Sequence, residues 1–197
     1  LVTALGWERV VLAGQSWGGN VVLEALARHP DRFLGAVCID GGFIRLRDRF
    51  DDWESCAEAL APPHLIGTPV EEMRGWVDRS AHDWPEEGRL GTMANFEARA
   101  DGTIAPWLTR ERHMAILEGM WNHDPVATIS GVEAPVHVIA ADTGDRWVDK
   151  NAAIEQLAAV ARDIEVTWFR PAHHDVHAQQ PDAVAEVMRR FAERLAP

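Results

Sequence analysis

The residues whose types and spacing could do chemistry begin with Ser16, set in Gly14-Gln15-Ser16-Trp17-Gly18 with Gly19 behind it. A serine hydroxyl is a weak nucleophile until a neighbouring base takes its proton. The base in turn needs a carboxylate to fix its tautomer. Far downstream the chain offers an aspartate within Asp142 to Asp145 and a histidine among His173, His174 and His177. Nucleophile, acid and base thus follow one another along the chain, and the chemistry they point to is acyl transfer through a covalent serine intermediate.

Such side chains must be brought together by the elements that carry them. Val10, Val11, Leu12 and Ala13 read as a strand bounded by Gly14, and Val21, Val22, Ala25, Leu26 and His29 as one face of a helix that Pro30 stops. The serine therefore stands on a sharp strand-to-helix turn, where glycines on either side relieve the bend and the hydroxyl is presented at the sheet edge. Leu1 to Gly6 read as the last turns of a helix ended by Gly6. Leu34 to Ile39 is a second buried strand, closing on Asp40-Gly41-Gly42. After Pro135 come a strand at 136–140, a helix at about 151–161, a strand at 164–169 and a helix from Pro181 to Leu195. Strands alternating with helices imply a parallel sheet covered on both faces.

Between Phe43 and Gly131 the texture changes to helix-period segments punctuated by Pro and Gly, with no convincing strand. Segments are expected at 47–60, 86–99 and 110–121, with a turn at Asp101-Gly102. Another begins at Thr68-Pro69-Val70-Glu71, where threonine as N-cap, proline at the first helical position and glutamate in a capping box agree. Trp53, Trp76, Trp84, Trp107 and Trp121 fall in this insert. They could line an apolar substrate cavity, although packing is the commoner use of such residues.

With 197 residues, 47% of them apolar and 25% charged, one sizeable domain with a buried core is expected. A formal net charge of −12 argues against nucleic acid or an anionic membrane surface as partner and leaves a small molecule as the expected one. Cys38 and Cys56 read as buried thiols rather than a disulfide framework, favouring a reducing, cytoplasmic compartment. No uninterrupted apolar run long enough to span a bilayer is present. A competing reading takes His173, His174, Asp175 and His177 as metal ligands. Neither an HExxH pattern nor a cysteine pairing supports it, so no metal and no cofactor are expected. His29, His64, His82, His113, His123 and His137 are scattered and read as surface or satisfied core residues.

Over its whole length the chain resembles the C-terminal part of an α/β-hydrolase with a helical cap. The resemblance is carried by GQSWGG at the elbow, by HDPVATISGVEAPVHVIAAD leading to Asp142, and by HHDVHAQQPDAV. It implies an α/β fold, a partial α/β-hydrolase with a mostly parallel sheet from the elbow onward. Residues 1–43 and 131–197 would form the core and 44–130 an inserted cap. It implies His174 as the base, because the family's base commonly stands seven residues before the proline that opens the last helix, here Pro181. His177 becomes a neighbour at the helix entry. The acid is expected at Asp145, with Asp142 as alternative; Asp40, after the second strand, is a third and less favoured candidate, since some branches carry an acid there. The Trp17 amide would supply one oxyanion donor. The family's second donor comes from a loop after an earlier strand that this sequence does not contain, and one missing donor costs about 10² to 10³ in rate.

Relatives also have strands before the elbow strand, so Val10 to Ala13 is expected to form an exposed edge. The chain is then expected to be a piece of a longer hydrolase, or to have its missing half supplied by a partner or a second copy in a homo-oligomer. The resemblance implies a serine hydrolase acting on a small ester or related acyl compound. Carbon–carbon bond hydrolases and cofactor-free perhydrolases share the fold, and a non-catalytic hydrolase-like chain is the alternative of a different class.

Overall fold

The computed structural model describes residues 1–144 and 147–196, with the side chains of 147 and 148 left aside. In chain order the elements are β1 (Val10–Gln15), α1 (Trp17–Arg28), β2 (Phe33–Ile39), α2 (Trp53–Leu60), α3 (Val70–Ser80), α4 (Glu86–Met93), β3 (Phe96–Ala98), β4 (Ile104–Pro106) and α5 (Arg110–Asn122). They continue with α6 (Pro125–Ser130), β5 (Val136–Ala141), α7 (Trp147–Ala158), β6 (Ile164–Phe169), α8 (Val176–Gln179) and α9 (Pro181–Leu195). Two compact units result. One comprises Leu1–Arg45, His123–His177 and Asp182–Pro197; the other comprises Leu46–Asn122 and Ala178–Pro181. Residues 123–130, expected in the insert, fall with the sheet unit. There Ile129 of α6 is 1% exposed in the same apolar cluster as Leu23 and Leu26 of α1.

The sheet unit is built on four parallel strands in the order β1-β2-β5-β6. Successive side chains of a strand point to opposite faces, and the two faces are covered differently. Ala36 and Cys38 of β2 and Val138 and Ala140 of β5 pack with Leu23, Leu26, Ile129, Ile154 and Leu157, from α1, α6 and α7. Val37, Ile39, Ile139 and Ala141 point the other way, to Val176, Val184 and Phe191. Burial on both faces explains why β2 and β5 read as continuous apolar runs rather than alternating ones. β1 lies at one edge of the sheet and pairs with β2.

Parallel pairing puts all the strand C-termini at one edge, where the registers are Gln15 opposite Ile39, Ile39 opposite Ile139, and Ala141 opposite Phe169. The residues that follow, Ser16, Asp40, Asp142 and Arg170, therefore emerge along a single rim. Ligand sites of open α/β sheets form at this end.

The insert departs from expectation in two places. Phe96–Ala98 and Ile104–Pro106 pair antiparallel around Gly102, which adopts a φ of 81°, so the segment expected to be helical to residue 99 ends earlier and turns into a short hairpin. Thr68 does not cap α3: Pro69 holds the N-cap position and no side chain caps the helix. The reason is that the Thr68 carbonyl accepts from the Ile104 amide at 2.8 Å and the Val70 amide donates to the Gly102 carbonyl at 3.0 Å, so the hairpin claims this backbone. At the start of the chain residues 2–6 form turns rather than a regular helix. Gly6 still closes them at a φ of 70°.

The insert's tryptophans divide in use. Trp84 is 6% exposed, whereas Trp76 and Trp107 are 55% and 62% exposed. Trp107 lines a cavity of about 560 Å³ within the insert, together with His64, Arg99, Arg110 and His113. Trp53 and Trp121 lie with ring centroids 6.4 Å apart, and the Arg47 guanidinium sits over Trp121.

Candidate active site

Ser16 occupies the turn between β1 and α1 at φ 55° and ψ −123°, a left-handed conformation that a residue with a Cβ seldom adopts. It is held there from both sides: its amide donates to the Ile39 carbonyl at 2.8 Å, and its carbonyl accepts from the Gly19 amide at 2.9 Å. The bend requires close backbone approaches. A Cβ on Gly14 would lie 2.1 Å from the Gly18 carbonyl oxygen, and one on Gly41 would lie 1.9 Å from the Ser16 carbonyl oxygen. Gly18, by contrast, faces open space.

The residue before the serine ties the elbow to the histidine loop. Gln15 Nε2 donates to Asp175 Oδ1 at 3.2 Å and reaches the His174 carbonyl oxygen at 3.5 Å. The loop that leaves β6 is thereby drawn to the end of β1.

His174 meets a carboxylate, and that carboxylate is Asp40. Nδ1 of His174 lies 2.5 Å from Asp40 Oδ2, with the Asp40 side chain fully buried and the imidazole 42% exposed. A charged carboxylate only accepts, so Nδ1 carries the hydrogen and Nε2 is left as the basic nitrogen. Asp40 follows β2 with a φ of 41° and its amide donates to the Ile139 carbonyl at 2.6 Å. Its Oδ1 accepts from the Ala141 amide at 3.0 Å. Lys150 of α7 reaches both carboxylate oxygens, at 3.0 and 2.7 Å, and also donates to the Ala141 carbonyl at 2.9 Å. Burial works to raise the Asp40 pKa. The hydrogen bonds from His174, Lys150 and the Ala141 amide outweigh it and hold the carboxyl below its ordinary value.

Of the acids favoured from the sequence, Asp142 stands elsewhere. Asp142 Oδ1 accepts from the Gly144 amide at 3.0 Å, closing an Asx turn, and its Oδ2 lies 3.9 Å from Arg170 Nε. Asp145 lies outside the described residues. Between the two described candidates, Asp40 and not Asp142 meets His174: β2 runs through the sheet interior between β1 and β5, so the residue that leaves it comes out beside Ser16 and under the histidine loop. An aspartate closing a wholly apolar run before two glycines is the available signal. Lys150, which no motif or spacing singles out, carries a signal of its own: it is the only lysine in the chain.

Trp17 opens α1, and its ring meets His123 edge-on at a centroid distance of 5.5 Å. His123 bonds Asn20 Nδ2 at 3.0 Å and Thr128 Oγ1 at 3.1 Å; burial lowers its pKa, with Glu24 opposing. Asn20, fully buried, also donates to the Ile44 carbonyl at 2.8 Å and accepts from the Gly42 amide at 3.1 Å, fastening α1 to the segment after Asp40. His173 Nδ1 accepts from the Asp175 amide, and burial lowers the pKa of His177. Among the described residues no group of His, Cys, Asp and Glu is arranged to hold a metal ion. Cys38 and Cys56 are free and buried.

The chain belongs to the alpha/beta hydrolase family, whose model matches residues 1–187. No curated protein matches it. Among solved structures it is similar to E-2-(acetamidomethylene)succinate hydrolase, with a TM-score of 0.73 and 18% identity over 98% of this chain and 69% of that one. It is similar to the thioesterase domain from the curacin biosynthetic pathway, with a TM-score of 0.67 and 14% identity over 92% and 66%. A third is an esterase from Mycobacterium tuberculosis, with a TM-score of 0.66 and 21% identity over 96% and 62%. The chain therefore spans about two thirds of the length of these structures, and at such identities the likeness speaks to the fold. Among the described residues no helix is long and apolar enough to cross a membrane.

Proposed function

We propose that the chain is the nucleophile-bearing part of a serine hydrolase that cleaves a small ester or related acyl substrate. The observation that carries this reading is the buried Asp40 bound to His174 at the rim where Ser16 stands in its left-handed turn. With Nδ1–H fixed on Asp40, His174 Nε2 takes the Ser16 proton as Oγ attacks the acyl carbon. It then returns that proton to the departing alcohol. Water repeats the cycle on the acyl-serine: Nε2 takes its proton, the acid is released and Ser16 is restored. The Trp17 amide, at the first turn of α1 where helix N–H groups lack helical partners, donates to the oxyanion. Hydrolase and esterase names among the similar folds support the class, while the acyl group itself is set by residues that no comparison identifies.

A fluorophosphonate probe tests the reading whatever the natural substrate is, because it reacts with the activated serine itself. Labelling of a single peptide containing Ser16 is expected, abolished in Ser16→Ala and in His174→Ala, with p-nitrophenyl ester turnover lost in the same variants. Equal labelling of Ser16→Ala would overturn it.

A further inference from the structure

We propose that Lys150 is a positioning residue of this site: its ammonium neutralises the buried Asp40 and turns the carboxylate so that Oδ2 faces the His174 imidazole. The inference rests on the reading of Ser16, His174 and Asp40 given above. Its basis is geometric. A lysine ammonium has three hydrogens, and three acceptors lie within 3.0 Å of Nζ: Asp40 Oδ1, Asp40 Oδ2 and the Ala141 carbonyl oxygen. The donor set is complete and points to one carboxylate. Lys150 is 7% exposed and Asp40 1% exposed, so neither charge is answered by water. A buried ion pair of this kind seldom adds net stability over an apolar pair, whereas it does fix orientation and charge.

The consequence is electrostatic. Without Lys150 the Asp40–His174 pair would carry a net negative charge in a buried setting and bind an extra proton more tightly. With Lys150 the charge of the carboxylate is balanced by an ammonium that reaches both of its oxygens. The other described charges around the pair come from separate elements. Asp142 follows β5 and lies 3.9 Å from Arg170 at the end of β6. Asp175 is held by Gln15 and lies 3.7 Å from His173. His177 belongs to α8. All of these are left unchanged by substitution at 150.

The test is the pH dependence of the rate at which a fluorophosphonate labels Ser16, whose acid limb reports protonation of the base in the free protein. In Lys150→Met that limb is expected to move to higher pH by about 1 to 2 units, because removing a nearby like charge favours the protonated imidazole. Lys150→Arg keeps the charge, and its limb is expected to stay at the wild-type position even where the rate falls. Lys150→Gln, which keeps N–H donors without charge, gives the same readout as Lys150→Met should the latter fail to fold. A folded, uncharged variant whose limb stays in place overturns the proposal, and so does a limb that moves equally in Lys150→Arg. Absence of Ser16 labelling in the unaltered chain would instead sink the catalytic reading. Labelling that is lost in Asp40→Asn, with an unmoved limb in the uncharged variants, would sink only the role of Lys150.

Discussion

Asp40 concentrates the chemistry of the site and an electrostatic liability of the fold in one side chain. Replacing it with asparagine leaves the shape and removes the acceptor that fixes Nδ1–H of His174, so Ser16 labelling and ester turnover are expected to fall about 10³- to 10⁴-fold. The same change leaves Lys150 buried without a counter-charge. Urea denaturation should show a loss of about 3–5 kcal/mol, and most of it should return in Asp40→Asn/Lys150→Met, where both charges are gone. The pH dependence follows from the direction of the Asp40 shift. Its carboxyl is held below the ordinary value despite burial, by the bonds from His174, Lys150 and Ala141. A depressed native pKa means stability that is fully present above the unfolded value, about 3.9, and lost as pH falls through the native value. Urea midpoints measured between about pH 5.5 and 2.5 should therefore drop more steeply in the unaltered chain than in Asp40→Asn.

At the scale of elements, the bend of the elbow depends on close approach of backbone to backbone. Gly14→Ala and Gly41→Ala each drive a Cβ to well inside van der Waals contact with a carbonyl oxygen, at 2.1 and 1.9 Å, in a place where both partners are backbone. Both variants are expected to unfold or to lose several kcal/mol. Gly18→Ala meets nothing within 4 Å and replaces a helical glycine in α1, so its thermal midpoint is expected to stay level or rise, by up to about 1 kcal/mol in stability. Calorimetry of the three variants separates Gly14 from Gly18, which the motif treats alike, and groups Gly14 with Gly41, which lies outside it. The strands and helices of the sheet unit were legible because β2 and β5 are apolar runs bounded by turn residues, β6 alternates apolar Ile164, Val166 and Trp168 with Glu165 and Thr167, and α9 keeps strict helical spacing. The hairpin of the insert was not. Three-residue strands such as Phe96-Glu97-Ala98 have too few residues to show a period, and the backbone that Thr68 lends to Ile104 is invisible to a capping pattern. Asp40 stood third among the acids for a related reason: spacing from Pro135 locates the end of one strand, while the carboxylate that His174 meets follows β2, which lies in the sheet interior.

Over the whole molecule, the two units differ in the size of the apolar clusters that hold them, and each contains one buried free cysteine. Among the described residues the sheet unit has two clusters, one on each face, which include Leu23, Leu26, Val138 and Leu157 on one side and Ile139, Val176 and Phe191 on the other. In the insert Met73, Val77 and Ile104 form a smaller cluster, with Leu65, Val70, Met93 and Phe96 partly buried around it, and Leu46, Trp84 and Leu117 are buried outside that cluster. Each fully buried Leu, Ile, Val or Phe contributes on the order of 1.5–3 kcal/mol, so the insert has less to lose before it opens. Cys38 reports on the sheet: burial pushes its thiol up to about 12, and its Sγ donates to the Gly19 carbonyl at 3.6 Å. Cys56, fully buried in α2, reports on the insert, and burial raises its pKa as well. Thiol reactivity follows the thiolate and its exposure, so neither cysteine should react with iodoacetamide at about pH 8 in the native chain. In a urea series read by mass spectrometry, Cys56 is expected to be modified at a lower urea concentration than Cys38. Modification of both at one concentration would mean that the insert unfolds only with the sheet, and modification of Cys38 first would reverse the order of stability that the clusters imply.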